Sequence, residues 1–435
     1  MSKQKHFFLR RSFFSLFWTQ FFGALNDNFF KNALVILITY VIAVKQGIDP
    51  SALVTMAAGI FILPFFLFSA NAGIIADNME KSKLMRIVKL AEIVIMCLAS
   101  FAFFMESVNL LLFALFLMGI QSTFFGPLKY SLLPIILEPE ELVRGNGLIN
   151  SATFIAILLG TIGGSYLILV ENGVMLTSGI IILLAIIGWL TSFSIPKIEA
   201  THEQKMKLAH ALNFVSVTWH LCKNSTKKKI LHKTIIGVSW FWYIGASILS
   251  QLPTFVSINL QANNTVYIFF LGLFAIGIGT GAMVCSRYIP KPTIKYASAS
   301  LLAMTGFFVI YYMSYFIYEA EPLVGGGKVG FVHLLSQLSI YPMIISFFMI
   351  AVTGGIFIIP QFSLTQQESD PDERSQVIAA NNVFNSLFMV GSAVFILILN
   401  IIQLPIPLIL LIIGLSNLLF LIWWRSCKVD EKYTK

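Results

Sequence analysis

The chain has 435 residues, of which 57% are hydrophobic and only 11% are charged, and its mean hydropathy is +0.84. A soluble domain covers its surface with far more polar residues, so this composition indicates a polytopic membrane protein and excludes a soluble enzyme. The net charge of +9 favours an anionic lipid surface rather than a nucleic acid as its electrostatic partner.

Apolar runs long enough to cross a bilayer recur along the whole chain. A transmembrane helix needs about 20 residues to cross about 30 Å of hydrocarbon. Twelve such runs are predicted, at 13–44, 51–76, 84–105, 108–128, 146–169, 173–194, 235–258, 265–286, 296–318, 340–362, 376–402 and 405–424. The ten-residue alternation of barrel strands does not occur, so we predict an all-α integral membrane protein.

The first run is expected to remain in the protein as a span. It is too long for a cleaved signal peptide and carries charge at its centre. If the N terminus is cytoplasmic, the outer loops contain only two basic residues, Lys45 and Lys328. Because cytoplasmic loops concentrate lysine and arginine, we predict that both termini are cytoplasmic.

A basic segment divides the predicted spans into six and six. It runs from Pro196 to about Lys233 and carries eight lysines against two glutamates. We predict an N-terminal six-helix bundle at 1–195, a cytoplasmic linker at 196–234 and a C-terminal six-helix bundle at 235–435. Within the linker, the stretch 205–221 is either a short helix on the lipid surface or part of a solvated tether.

Two segments resemble each other across this linker. FGPLKYSLLPIILEPEELVRGNGLINS (125–151) has a proline, then acids, then Asn146, and IIPQFSLTQQESDPDERSQVIAANNVFNS (358–386) repeats that order. Two similar halves related by an axis along the membrane normal resemble the major facilitator architecture.

The loop after the second span carries a candidate gate. GIIADNMEKSK (73–83) resembles the major facilitator motif of glycine, three residues, aspartate and nearby bases. Gly73 would let a neighbouring helix approach closely, and Asp77 would pair with the polar end of the adjacent helix. Lys81 or Lys83 would then bind acid or carbonyl groups while the cytoplasmic side is closed.

Ionisable side chains at membrane depth cost several kcal/mol unless they are paired or hydrated. Outside the loops, the predicted spans contain Asp27, Lys31 and Glu92. Asp27 and Lys31 are four residues apart, so they share a helical face that Asn28 adjoins, and they can form an ion pair. This face is either an internal clasp or the lining of a cavity that binds a charged substrate or a coupling ion. Glu92 either pairs with Lys31, Lys89 or a head group, or reaches to the interface.

Further candidates lie at the end of the fourth predicted span. Lys129 and Tyr130 are expected to close that span on the cytoplasmic side, and Glu138 and Arg144 follow in the next loop. The loop charges form a solvated surface, a salt-bridge gate that breaks as two bundles rock, or both.

Three blocks together resemble the bacterial lysophospholipid transporter (LplT) family, a branch of the major facilitator superfamily. They are ALNDNFFKNALVILIT in the first span, FGPLKYSLLP in the fourth and GNGLINSATFIAILLGTIGG at the start of the fifth, and IIPQFSLTQQES extends the likeness. The resemblance implies a secondary transporter, a flippase that moves lysophospholipids such as lysophosphatidylethanolamine from the outer to the inner leaflet of the bacterial inner membrane by alternating access. It also implies a separate acyltransferase with acyl-carrier-protein synthetase activity as a partner.

The resemblance implies roles for individual residues as well. The positions that match the family are the acid and amide of the first span, the Lys-Tyr pair of the fourth and the Asn-Gly pair of the fifth: Asp27, Asn28, Lys129, Tyr130, Asn146 and Gly147. The seventh span reads LSQLPTF, with Gln251 where some members have a base, so phosphate recognition falls to Lys31 or Lys129.

We expect neither enzyme activity nor a cofactor, and the coupling cation is open between Na⁺, H⁺ and none. The alternatives are a facilitator of another amphipathic metabolite, such as a drug or siderophore, and a membrane scaffold that does not transport.

Overall fold

The computed structural model describes residues 7–42, 45, 50–198, 214–289, 291–318 and 328–433. These residues are mainly helical, and their only β pairing is an isolated bridge between Ala262 and Val329. The helices are α1 Arg11–Leu37, α2 Pro50–Asn78, α3 Lys81–Phe104, α4 Val108–Ile136, α5 Leu142–Leu167, α6 Gly173–Ser192, α7 Phe214–Ser225, α8 Lys229–Thr254, α9 Asn264–Tyr288, α10 Ala297–Ile317, α11 Phe331–Ser336, α12 Tyr341–Glu368, α13 Arg374–Ile401 and α14 Ile406–Ser426.

Eleven helices within the described residues are long and apolar enough to cross a membrane. Helix α1 is the exception among the twelve predicted spans: it has 27 residues, but its composition does not reach the same hydropathy. The cause is the polar stretch around Asp27, which interrupts its apolar residues. In the linker, residues 199–213 lie outside the described residues. The last part of the predicted stretch 205–221, from residue 214 onward, belongs to α7.

Two predicted helix ends are wrong because the helices continue beyond residues 128 and 362. Helix α4 contains Pro127 and Pro134 and ends at Ile136, and α12 contains Pro360 and ends at Glu368. A proline removes one backbone donor, but a membrane helix stays helical because neighbouring groups satisfy the freed carbonyl and no water competes. Lys129 and Tyr130 consequently lie inside α4 and do not close it.

The chain forms two compact units. The first unit comprises Met1–Gly145, Ile155–Lys227 and Thr365–Val383, and the second comprises Asn146–Phe154, Lys228–Leu364 and Phe384–Lys435. The division into bundles at 1–195 and 235–435 with a linker at 196–234 stays a prediction.

The core of the first unit is built by α1, α2, α3, α4 and α6, with α1 packed on α6 and α4 and with α3 packed on the same two helices. Helix α5 approaches α1 through glycines. A side chain at Gly160 would lie 2.6 Å from the carbonyl oxygen of Leu25, and one at Gly164 would overlap the carbonyl of Phe29. Small residues are needed here because lipid gives helices no hydrophobic drive to associate, so backbone proximity must supply the contact energy.

The second unit has an aromatic core between α8 and α14. Trp240 stacks on Phe420 with 4.4 Å between ring centroids, and its indole nitrogen donates to Oδ1 of Asn417 at 2.8 Å. Helix α14 also packs on α10, where Gly414 leaves room for the ring of Phe308.

The contact between α1 and α5 can be tested with Gly164→Ala. The added methyl group meets the backbone of Phe29, so we expect a loss of about 1–3 kcal/mol of stability in detergent or lipid, measured as a lower unfolding midpoint. Gly179→Ala in α6 is the matched control, since nothing lies within 4 Å of its added atom. The control should change stability little or raise it slightly through helix propensity. An equal loss in both variants would contradict the assignment.

Candidate functional site

The polar face of α1 makes contacts with three other helices. Oδ2 of Asp27 accepts a hydrogen bond from the Ser122 hydroxyl of α4 at 2.9 Å. Lys31 places its ammonium 4.3 Å from the ring centroid of Phe61 in α2, and Asn32 donates to Thr161 of α5 at 3.1 Å. The polar stretch of α1 therefore binds its neighbours through specific side-chain contacts.

The predicted ion pair between Asp27 and Lys31 is wrong. Their spacing places both on one helical face, but each side chain is directed to a different neighbour, and the pair is not among the salt bridges that the described residues form. Oδ1 of Asp27 is buried and has no hydrogen-bond partner among the described residues. A buried carboxylate oxygen without a donor costs free energy, so Asp27 keeps unused capacity to bind a cation or an ammonium group.

Lys129 lies in the second half of α4, within electrostatic reach of this carboxylate. Its ammonium donates to Oε1 of Gln20 in α1 at 2.9 Å and lies 4.8 Å from the ring centroid of Tyr130. The charge of Asp27 interacts with both Lys31 and Lys129. We call Gln20, Asp27, Lys31, Ser122 and Lys129 the α1–α4 polar cluster. It combines one acid with two bases, and Asn28 lies in the same turn of α1, where it donates to the carbonyl of Ala24.

Glu92 is wholly buried, and its closest partner is a lysine of the same helix. Lys89 donates to its carboxylate at 2.7 Å, and both side chains are almost inaccessible, at 0% and 1% exposure. Asn26 of α1 and Gln121 of α4 each donate to the same carboxylate at 3.0 Å. The interpretation of Glu92 as a residue that reaches to the interface is therefore wrong, and the interpretation as a partner of Lys89 is correct.

The Lys89–Glu92 network lies next to the α1–α4 polar cluster along both helices. Asn26 precedes Asp27 in α1, and Gln121 precedes Ser122 in α4, so each helix offers one polar group to the network and the next to the cluster. The sequence interpretation named Lys89 only as one of several possible partners of Glu92 and did not count it among the buried charges. The spacing of three residues between Lys89 and Glu92 is the signal that could have found the pair.

The predicted gate after α2 forms a closed contact with α13. Asp77 accepts hydrogen bonds from the backbone N–H groups of Ser375 and Gln376, both at 3.1 Å, at the first turn of α13. Lys81 donates to Asp77 at 3.1 Å, to the Ser375 hydroxyl at 3.1 Å and to the carbonyl of Ala76 at 2.8 Å. A carboxylate at a helix N terminus satisfies free donors and complements the helix dipole.

Gly73 and Lys83 are the other two candidate residues of this motif. A side chain at Gly73 would lie 2.6 Å from Cβ of Ala379 and 2.9 Å from the backbone of Gln376, so only glycine lets α2 and α13 meet. Lys81 is the buried base of the contact, whereas Lys83 is exposed. The sequence left the choice between the two lysines open, and the structure assigns the contact to Lys81.

The acidic loop before α5 pairs through a residue other than Glu138. Arg10 makes a two-point salt bridge with Glu141 at 2.7 and 2.9 Å. Glu138 is exposed, and its backbone N–H donates a hydrogen bond to the Glu141 carboxylate. Arg144 places its guanidinium 5.2 Å from the ring of Phe7. Of the acids after α4, Glu141 is therefore the one that joins this loop to the N-terminal segment.

The remaining candidates lie in the second unit. Asn146 donates to the Ser363 hydroxyl of α12 at 3.2 Å, and a side chain at Gly147 would lie 2.9 Å from the carbonyl oxygen of Ala282 in α9. Gln251 is buried in α8. Asn146 and Gly147 therefore fix the first turns of α5 to two other helices of that unit.

Removing one partner of the buried network should be costly. We expect Glu92→Gln to lower stability by about 3–5 kcal/mol, because it leaves the Lys89 charge buried without a counter-charge. Glu106→Gln is the matched control, since Glu106 pairs with Lys45 at the surface and such a pair contributes about 0–1 kcal/mol. Chemical or thermal unfolding in lipid measures both, and a Glu92→Gln variant as stable as the control would refute the burial of this pair.

The comparisons with known proteins agree with this architecture. The family model described as Major Facilitator Superfamily matches residues 16–393. Curated relatives named Lysophospholipid transporter LplT, from Yersinia pestis (strain Pestoides F) and Yersinia pseudotuberculosis serotype O:3 (strain YPIII), are each 25% identical over 393 residues, which is 88% of this chain and 86% of the relative.

Solved structures show the same fold. The human organic anion transporter MFSD10 (TETRAN) aligns with a TM-score of 0.68 and 13% identity, over 96% of this chain and 97% of that one. An outward-facing bacterial homologue of the iron transporter ferroportin aligns with a TM-score of 0.65 and 14% identity, over 94% and 99%. The predicted fold class is confirmed, and the chain belongs to the Major Facilitator Superfamily.

Proposed function

We propose that this protein is a lysophospholipid transporter that moves lysophospholipids, such as lysophosphatidylethanolamine, from the outer to the inner leaflet of the bacterial inner membrane. The similarity to transporters of that name over 88% of the chain supports the substrate class. Within the structure, the observation that carries the proposal is the α1–α4 polar cluster, which presents an acid with a free oxygen and two bases inside a membrane domain.

The head group of lysophosphatidylethanolamine suits this set of charges. It carries a phosphate and an ammonium group, and the cluster offers Lys31 and Lys129 to the first and Asp27 to the second. Charge-assisted hydrogen bonds to phosphate and carboxylate are the strong ones, and a site of low water content makes them stronger. In this proposal Asn28 and Tyr130 are further polar contacts of the substrate.

Transport follows from alternating access of the cluster to the two sides of the membrane. The contact in which Asp77 and Lys81 hold the start of α13 closes one side, and the substrate path opens there when this contact breaks. Because that contact is made of a few hydrogen bonds and one ion pair, the substrate can shift the equilibrium by binding one state more tightly than the other.

Reconstitution tests the proposal directly. Labelled lysophosphatidylethanolamine is placed in the outer leaflet of proteoliposomes, and albumin extraction measures what remains accessible with and without Na⁺ or H⁺ gradients. We expect faster loss of accessibility than in empty vesicles, and at least about tenfold slower transport in Asp27→Asn and Lys129→Gln, because each loses one charged contact of about 1.5–3 kcal/mol.

Matched controls separate this site from general charge effects. Glu171→Gln and Lys295→Gln change exposed charges and should transport at the wild-type rate. Folded wild-type protein that moves no lysophospholipid above empty vesicles would refute the proposal. Movement of a drug or siderophore in place of the lipid would favour another facilitator activity on the same fold.

A further inference from the structure

The short helix α7 buries one face against two longer helices of the first unit. Leu221 packs in one cluster with Ala70 of α2 and Ala380 of α13. Val217, one helical turn before Leu221, and Ile74, one turn after Ala70, pack against this cluster. Helix α7 therefore covers the line along which α2 and the first turns of α13 meet.

The opposite face of α7 is exposed and carries a different chemistry. Trp219 is 70% exposed, and Lys223, which lies one turn later on the same stripe, is exposed as well. Lys227 follows just after the helix ends and is also exposed. An exposed indole beside ammonium groups is typical of a helix that lies in the membrane interface, with its ring at head-group level and its bases on lipid phosphates.

The place where α7 covers α2 and α13 is close to the contact between Asp77 and the start of α13. Ala70 and Asp77 are seven residues apart in α2, a distance of about 10 Å along a helix. Gly73 lies between them, where an added side chain would lie 2.9 Å from the α13 backbone at Gln376. A helix seated across α2 and α13 at Ala70 and Ala380 therefore holds together the two elements that Asp77 joins.

We propose that α7 is a lipid-anchored clasp on the α2–α13 contact, with the anionic head-group surface of the bilayer as its partner. Trp219, Lys223 and Lys227 bind that surface, and Leu221 binds the two helices. Anionic lipid thereby stabilises the state in which Asp77 caps α13. This role does not depend on which substrate the protein carries, so its test is independent of the test of the proposed function.

Cys222 is a natural reporter of this clasp. It lies on α7 next to Leu221 and packs partly buried against the same cluster. Burial raises the pKa of its thiol to about 11. Maleimides react with the thiolate, so Cys222 should react slowly while α7 is seated and faster when α7 lifts away.

The experiment uses the full chain with the substitutions Cys97→Ser, Cys285→Ala and Cys427→Ser, reconstituted in phosphatidylcholine vesicles with or without phosphatidylglycerol. We expect phosphatidylglycerol to slow maleimide labelling of Cys222 at least about fivefold, the factor that one lysine contributes at an anionic surface. The double variant Lys223→Gln/Lys227→Gln should remove this dependence, and high salt should weaken it.

The matched control is Lys291→Gln/Lys428→Gln, which removes the same charge from exposed positions of the second unit. It should retain the slowing by phosphatidylglycerol. Trypsin cleavage at Lys223 and Lys227 of the unaltered chain gives a second measurement that needs no substitution, and phosphatidylglycerol should slow it too. Labelling and cleavage that are indifferent to phosphatidylglycerol, or a control pair as effective as the α7 pair, would overturn the proposal and leave a protein partner as the occupant of this face.

Discussion

A buried ion pair inside the membrane domain constrains the packing of the first unit. Lys89 and Glu92 are wholly removed from solvent, and a charge in such a place costs several kcal/mol unless its partners are all in position. Three helices supply those partners, through Lys89 and Glu92 of α3, Asn26 of α1 and Gln121 of α4. The helices must hold their register, since a shift of α1 or α4 by one residue would take Asn26 or Gln121 away from the carboxylate.

Two glycines, Gly23 and Gly188, lie next to the Lys89 ammonium and leave space for it. A side chain at Gly23 of α1 would overlap the Lys89 ammonium, and one at Gly188 of α6 would lie 3.5 Å from it. Glycine at Gly23 therefore leaves the space that a buried lysine occupies. The register fixed in this way also sets the α1–α4 polar cluster, because Asp27 and Ser122 directly follow the two residues that donate to Glu92. A rigid network thus supports a site whose own acid retains an unused oxygen.

The contact of α2 with α13 contrasts with that rigid network. It joins the Asp77 carboxylate to two backbone N–H groups and to the side chain of Gln376, and it joins Lys81 to Asp77 and to the Ser375 hydroxyl. The buried pair and this contact thus do different things within one unit: the first holds α1, α3 and α4 in register, and the second joins the end of α2 to the start of α13. Helix α7 packs next to this contact, against Ala70 of α2 and Ala380 of α13.

The sequence by itself determined the helices and the class of fold. Apolar runs located the transmembrane helices to within a few residues at most ends, because hydrocarbon thickness and backbone hydrogen bonding allow little else. It also singled out Asp27, Lys31 and Glu92, since charge inside an apolar run is costly enough to be informative. The motif after the second span pointed to Asp77, and the resemblance to a family pointed to Lys129. Only the tertiary structure decided their partners. Spacing allowed an Asp27–Lys31 pair, but long side chains on one face reach different neighbours, and those neighbours come from helices distant in sequence. For the same reason the choice of Lys81 over Lys83, the choice of Lys89 as the partner of Glu92, and the continuation of α4 through Pro134 could be decided only by the packed helices.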